Sequence, residues 1–316
     1  MSTRRDRVSA NLQNLVISAQ PTEAEILRIE SQLESYGQEK TGGKLHYPGT
    51  REPGLEFSLA VAGPDGEVVG GVTVSSLLGV MWLEVLWTAA LHRRRGIASW
   101  LILEAERIAY DKGCVGAGTW TFDWQGAEFY PRIGYRLNGI YDGYPLGITE
   151  HVLSKSLPST EDVLQAVAAR VRANEQDGYT LVSEPTREEM GIVGRGLHEH
   201  CAAHAGDEMS NPGVGIKLAL RTSDGECVGG LVASTTIRVV ALEQLWVDER
   251  FRGQGHGRAL VAEAERIGKD HRCVAVQGSC LSFQSPAFFD HLGYQSFGRV
   301  EAYLDGVWEN LLTKRL

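Results

Sequence analysis

The sequence predicts two mixed α/β units in tandem, each built on a central sheet with helices on its faces. Three observations predict it. At 316 residues the chain has room for two domains of roughly 150 residues each. It matches itself at one dominant shift of 159 residues, the separation of Arg93 and Arg252. Within each copy, short β-rich runs alternate with stretches of helical period.

The repeat is extensive. At that shift PDGEVVGG (64–71) falls on SDGECVGG (223–230), LEVLW (83–87) on LEQLW (242–246), and EAERI (104–108) on EAERI (263–267). Gly134-Tyr135 falls on Gly293-Tyr294, and no gap is needed from Pro53 to Leu157. A repeat of this length is a duplicated domain, not a solenoid unit of about 20–50 residues. The expected organisation is a first domain over 1–157, a helical connector over 158–178 and a second domain over 179–316. Ser159 or Thr160 would cap the connector helix. LVIS (15–18) and TLVS (180–183) open the two copies, each followed by Pro-Thr and a helical stretch, in a register other than 159.

The second copy shows the expected order of elements. LVS (181–183) is a short strand, and 186–204 is helical. GIKLALRTSDGECVGGLVAST (215–235) is a strand pair around a Ser-Asp-Gly turn, and ALEQLWV (241–247) is a strand. Residues 255–271 place Leu260, Val261, Ala264 and Ile267 on one helical face. CVAVQGSC (273–280) is a strand, Pro286 opens a helix, and Gly293 ends it in a left-handed cap. SFGRVEAYL and WENLLTKRL close the unit as a strand pair.

Composition excludes several classes. The net charge of −9 argues against general nucleic-acid binding and is compatible with a cationic substrate drawn to an acidic cleft. No apolar run approaches the roughly 20 residues of a membrane helix. MSTRRDRVSANLQ lacks the apolar core of a secretory signal. The five cysteines, odd in number and without Cys-x-x-Cys spacing, fit free thiols in a reducing cytoplasm. Oligomeric state is not legible.

The chemistry gathers at a turn that both copies share. A strand is followed by Arg-x-x-Gly-x-Gly/Ala and then a helix: Arg93-Arg94-Arg95-Gly96-Ile97-Ala98 in the first copy, Arg252-Gly253-Gln254-Gly255-His256-Gly257 in the second. Successive N–H groups at a helix N-terminus form an anion site, and small residues let a diphosphate approach the backbone. Arginine adds charge around it.

These segments resemble the GNAT family of acetyl-CoA-dependent N-acetyltransferases. The resemblance rests on the two turns, on FQSPAFFDHLGY in the second copy and on WQGAEFYPRIGY in the first. It implies two tandem domains, each with a mixed, mostly antiparallel sheet, transferring acetyl to a primary amine; a cationic antibiotic, a polyamine, an amino-acid-like metabolite and a protein amine are all open as acceptors, and the acidity of the chain leans to a cationic small molecule. It also implies a V-shaped opening between the fourth and fifth strands of each copy, where the pantetheine arm of acetyl-CoA lies along the fourth strand. Leu86, Trp87 and Thr88 would line that arm in the first copy, and Leu245, Trp246 and Val247 in the second. Trp87 and Trp246 are equally readable as core.

The family's thiolate-protonating tyrosine maps onto Tyr130, whereas the second copy has Phe289, which has no proton to give. Pro131 would bend the helix that carries Tyr130. Tyr130 also reads as a packing aromatic. Glu84 on the fourth strand is the candidate base, with Glu243 as its counterpart, although a pair of glutamates fits a structural role as well. On this reading both copies bind acetyl-CoA and the first does most of the chemistry. The alternatives are catalysis by the second copy and a binding protein without turnover. HEHCAAH (198–204) places His200 and His204 on one helical face, but nothing completes a metal site. That helix and SYGQEKTGGKLHY (35–47) would wall the acceptor sites, the latter in the first copy. His256 is expected on the helix surface.

Overall fold

The computed structural model describes residues 15–43, 55–205, 213–303 and 306–316. The first repeat contributes β1 (Leu15–Ser18), α1 (Glu23–Thr41), β2 (Phe57–Ala62), β3 (Val68–Leu77), β4 (Val80–Thr88), α2 (Ile97–Asp111), β5 (Gly116–Phe122), β6 (Arg136–Tyr141) and β7 (Glu150–Ser156). The connector is α3 (Glu161–Gln176). The second repeat supplies β8 (Thr180–Val182), α4 (Arg187–Ala205), β9 (Gly215–Thr222), β10 (Cys227–Thr236), β11 (Val239–Val247), α5 (His256–Asp270), β12 (Ala275–Leu281), α6 (Pro286–Asp290), β13 (Gln295–Val300) and β14 (Glu309–Arg315). The opening residues 1–14 and positions 44–47 of the proposed acceptor segment lie outside the described residues.

All fourteen described strands form one sheet, in the order β1-β9-β10-β11-β12-β14-β13-β6-β7-β5-β4-β3-β2-β8. Each half is antiparallel apart from one parallel pair, β4 with β5 or β11 with β12. The halves meet where Gly298 pairs with Gly139, two positions that the repeat itself superposes. Glycine is required there: a Cβ on Gly139 would stand 2.7 Å from the Phe297 carbonyl oxygen, and one on Gly298 2.5 Å from that of Asn138.

The sheet order reveals an exchange that the sequence boundaries do not show. β1 pairs not with β2 of its own repeat but with β9, from Leu15↔Thr222 to Ser18↔Ala219. β8 in turn pairs with β2. The helices follow their strands. Ile26 and Ile29 of α1 bury against Val232 and Trp246 of the second repeat, and Val193 of α4 buries against Ala60 and Val68 of the first. Glu25 of α1 accepts two hydrogen bonds from Arg221 of β9, at 2.5 and 2.6 Å. The packing units are therefore 55–182 with α4, and 213–316 with β1 and α1.

Each unit has its own core. The first packs Leu101, Ile102 and Ala105 of α2 on Val72, Val74, Met81 and Ala117. The second packs Leu260, Val261 and Ala264 of α5 on Leu218, Leu231, Val240 and Val276. Both hold an ion pair at matching positions, Lys155–Glu106, which is buried, and Lys314–Glu265, which is half-buried, each at 2.7 Å.

Candidate active site

The parallel pairings stop short, and this makes the site. β11 runs to Val247 but pairs with β12 only from Val239↔Ala275 to Leu242↔Gly278. Residues 243–247 therefore leave a free edge facing a cleft. β4 diverges from β5 after Leu83↔Thr119 in the same way. The V-shaped openings expected in both repeats are present.

The two turns share a backbone. Gly96 and Gly255 each have φ +90 and form the N-caps of α2 and α5, a left-handed geometry that favours glycine. Arg93 Nε donates to the Thr88 carbonyl at 3.0 Å, and Arg252 Nε donates to that of Val247 at 2.8 Å. These arginines pin the turn to the end of the fourth strand. Among the described residues nothing lies within 4 Å of a Cβ built on Gly253 or Gly255.

The first turn is covered by the connector. A Cβ on Gly96 would stand 3.0 Å from Arg170 of α3. Asn174 Nδ2 donates to the Arg95 carbonyl at 3.1 Å, Tyr179 OH is 2.9 Å from His92 Nδ1, and Asp177 is 3.7 Å from Arg95. The exchange explains the cover. To deliver β8 to the β2 edge, the chain must cross from β7 over the start of α2, and it lays α3 there.

The second opening holds a cavity of about 690 Å³. Leu242 to Val247 form one wall, Phe251 to Gly253 with Gly255 to Arg258 the floor at the helix N-terminus, and Phe288, Phe289 and Leu292 the far side. Leu245, Trp246, Val247, Arg252, Gly253, Gly255, His256 and Gly257 thus converge on one space, with Glu243 on its wall. Gln254 is not among the lining residues; its amide donates to the Arg250 carbonyl at 3.2 Å. Leu33 and Tyr36 of α1 close the cavity. Tyr36 OH donates to the Phe283 carbonyl at 3.1 Å, and the Arg252 guanidinium lies 5.3 Å from its ring centre.

Several sequence expectations need correction. His256 is buried, 3% exposed, not a surface residue; burial lowers its pKa, and Nδ1 has no hydrogen-bond partner among the described residues. The described part of 35–47 walls the second repeat's cavity, not the first's, because β1 pairs with β9 and brings α1 along. The HEHCAAH helix packs on the first repeat: the His204 ring stacks on Trp124, with centroids 6.1 Å apart, and Gln125 Nε2 donates to Cys201 Sγ at 3.1 Å. Among the described residues, no cluster suited to a metal ion occurs.

Tyr130 sits in the first repeat's core, 4% exposed and packed on Tyr135. Burial pushes its phenol up to about 12, against hydrogen bonds to Thr119 and Thr121. Pro131 falls within a 3-10 turn, Ala127–Ile133, where the second repeat has the α-helical α6. Glu84 accepts a hydrogen bond from Ser75 at 2.5 Å. Trp246 is buried under α1, and Trp87 packs against α4, where a Cβ on Gly196 would lie 2.2 Å from its ring. Trp246 is thus buried at the cavity's edge, and Trp87 is half-buried. Leu86 packs at the edge of the first core, and Thr88, Arg94, Arg95, Ile97 and Ala98 surround the covered turn.

Sequence reasoning missed Leu33 and the polar set behind Ser279. Ser279 lines the cavity and donates to Glu309, which also accepts from Tyr303 at 2.5 Å. Burial raises the Glu309 pKa. The spacing that would have flagged them is the repeat: Tyr144 and Glu150, at 2.9 Å, occupy the same places in the first copy.

The profile of the acetyltransferase (GNAT) family matches residues 24–135 and again 190–294. The chain belongs to the GNAT acetyltransferase family. As an acetyltransferase of this family it has relatives of known name. It is similar to blasticidin-S acetyltransferase of Streptomyces morookaense, 37% identical over 102 residues, 32% of this chain and 75% of that protein. It is also similar to an acetyltransferase of Agrobacterium fabrum, 28% identical over 80 residues, 25% of this chain and 58% of that one. A crystal structure of an acetyltransferase from Bacillus cereus aligns with a TM-score of 0.41 at 28% identity, covering 43% of this chain and 96% of that one. No described helix is long and apolar enough to cross a membrane.

Proposed function

We propose that this acetyltransferase uses acetyl-CoA to acetylate the primary amine of a small, cationic molecule, and that the second repeat runs the reaction. One contrast carries the reading: the turn at Gly253 and Gly255 is open above a cavity of about 690 Å³, whereas Arg170 lies over Gly96. The residues fit the cosubstrate. The amides at the start of α5 and the Arg252 and Arg258 side chains suit a diphosphate. The free edge of β11 suits an extended amide-bearing arm. When bound, acetyl-CoA supplies the acetyl thioester.

The chain's own groups supply the rest. Glu243 on the cavity wall takes the proton of the incoming ammonium. Phe289 leaves the thiol side without a phenol, and Ser279, backed by Glu309, is a hydroxyl facing the same space. Tyr36 and Leu33 form the acceptor wall. The similarity to blasticidin-S acetyltransferase supports a small-molecule acceptor, and the net charge of −9 favours a cationic one.

The test is thiol release from acetyl-CoA across a panel of amines, for Gly255→Trp and Gly96→Trp separately. Gly255→Trp is expected to abolish release and Gly96→Trp to retain it. The opposite pattern returns catalysis to the first repeat; no release from the unmodified protein with any amine rejects turnover on that panel.

A further inference from the structure

At the tip of the second repeat's opening stands a hydroxyl with an acid behind it. β11 and β12 stay paired as far as Leu242↔Gly278, so Ser279 is the first residue of β12 past the split, and it lines the large cavity. Its Oγ is hydrogen-bonded to one oxygen of Glu309, and the other accepts from Tyr303 OH at 2.5 Å. Glu309 is 8% exposed, lies between Leu281 and Val300 in the sheet, and has no lysine or arginine partner among the described residues. Burial raises its pKa, which favours the neutral carboxyl. The other titratable groups beside it are Tyr303 and Cys280; burial and the Glu309 and Asp290 charges push the Cys280 thiol up to about 12.

The two repeats hold opposite sets of hydroxyls. At the 159-residue shift Phe289 falls on Tyr130 and Ser279 on Trp120, whereas Tyr303 and Glu309 fall on Tyr144 and Glu150. The repeat with the phenol lacks the serine, and the repeat without the phenol has it. Phe289 has no proton to give. An alcohol alone is a far weaker acid than a thiol, so a lone serine would not protonate a departing thiolate. A serine that regains a proton from a neutral carboxyl in the same motion can.

We propose that Ser279 and Glu309 form a proton relay to the departing thiolate of coenzyme A, in which Glu309 stores the proton and Ser279 delivers it. As the carbon–sulfur bond of the thioester breaks, the sulfur leaves with the electron pair and takes the Ser279 hydroxyl proton. Ser279 Oγ takes the Glu309 carboxyl proton at the same time. Glu309 is left as a carboxylate and regains a proton from water through Ser279 once the cavity has emptied. Ser279 is the catalytic residue; Glu309 and Tyr303 act through it as positioning residues. The relay rests on transfer by the second repeat and adds where the proton is held and how it moves.

Infrared difference spectroscopy of the ligand-free full chain detects the stored proton. Near neutral pH, one carbonyl stretch of a protonated carboxyl should be lost in Glu309→Gln and kept in Ser279→Ala and Glu150→Gln. Steady-state kinetics follow the route. Ser279→Ala and Glu309→Gln should each lower kcat by about 10²–10⁴-fold with KM for acetyl-CoA little changed, Ser279→Thr should recover most of it, and Glu150→Gln should leave it as it was. In the unmodified protein kcat should fall on the alkaline side as Glu309 ionises, and that fall should vanish in Glu309→Gln. An unchanged kcat in Ser279→Ala, an alkaline fall that survives Glu309→Gln, or no carboxyl band belonging to Glu309 would overturn the relay. Gly255→Trp distinguishes the failures. If it abolishes thiol release while Ser279→Ala does not, the relay alone is rejected; if it retains release, transfer by the second repeat is rejected and the relay with it.

Discussion

Asn174 Nδ2 donates a hydrogen bond to the Arg95 carbonyl oxygen at 3.1 Å, so a connector residue occupies the backbone of the first repeat's own turn. Asn174 is 3% exposed. Asn174→Ala leaves that carbonyl without its partner and is expected to cost about 1–3 kcal/mol of stability. Thermal unfolding would show the loss, and thiol release per folded molecule should stay at the starting level.

Glu243 stands on the wall of the open cavity. Glu243→Gln keeps the shape and removes the base. A fall in kcat of about 10²–10⁴-fold is expected, with KM for acetyl-CoA little changed. Steady-state kinetics at saturating amine decide it; an unchanged kcat assigns proton removal elsewhere.

The exchanged helix closes the second repeat's cavity through Leu33 and Tyr36 and covers Trp246. A fragment of residues 158–316 should therefore neither fold stably nor turn over. Adding a peptide of residues 1–43 should restore some activity. Full activity in the fragment alone would separate the helix from the site.

Arg221 holds the Glu25 carboxyl at about 2, through hydrogen bonds and charge. An unfolded glutamate titrates near 4.3. Its contribution is therefore complete above about pH 4.5 and is lost as pH falls through about 2. Glu25→Gln should cost about 1.5–3 kcal/mol at pH 7. The gap between the two proteins in chemical denaturation should narrow from pH 4.5 downward.

Gly298 meets Gly139 where the two halves of the sheet join. Gly298→Val would drive side-chain atoms into the Asn138 carbonyl oxygen and the Gly139 Cα, backbone atoms that no side-chain rotation can move aside. A cost of about 1–3 kcal/mol is expected. Calorimetry would detect it as a lower Tm or as separate unfolding of the two halves.

Most of the fold was legible because each element carried its own local signal. The turn glycines, the helical face from Leu260 to Ile267 and Pro286 at the start of α6 all fall where they were read. Partner choice was not legible. β1 can pair with β2 or β9 on equal local terms, since the repeat makes the two edges alike, and the connector's path decides between them. That one non-local choice moved Tyr36 from the first site to the second and placed Arg170 over Gly96. Tyr130 was found by motif, but motif does not report depth: the phenol lies in the core. Glu150 was visible as a residue, but Trp82, Trp120 and Phe122 near it come from β4 and β5, which only the sheet brings beside β7.

The strand exchange also sets a timetable for synthesis. β1 leaves the ribosome first, yet its partner residues 219–222 are made about 200 residues later. At about 5–20 residues per second that interval is about 10–40 s. During it the newborn chain carries an orphan strand and the apolar face of α1 beside a β2 edge that resembles the right one. The competition ends when β8 arrives, about 40 residues ahead of β9, and occupies that edge. The order of elements along the chain thus leaves the β2 edge open to β1 until β8 has been made.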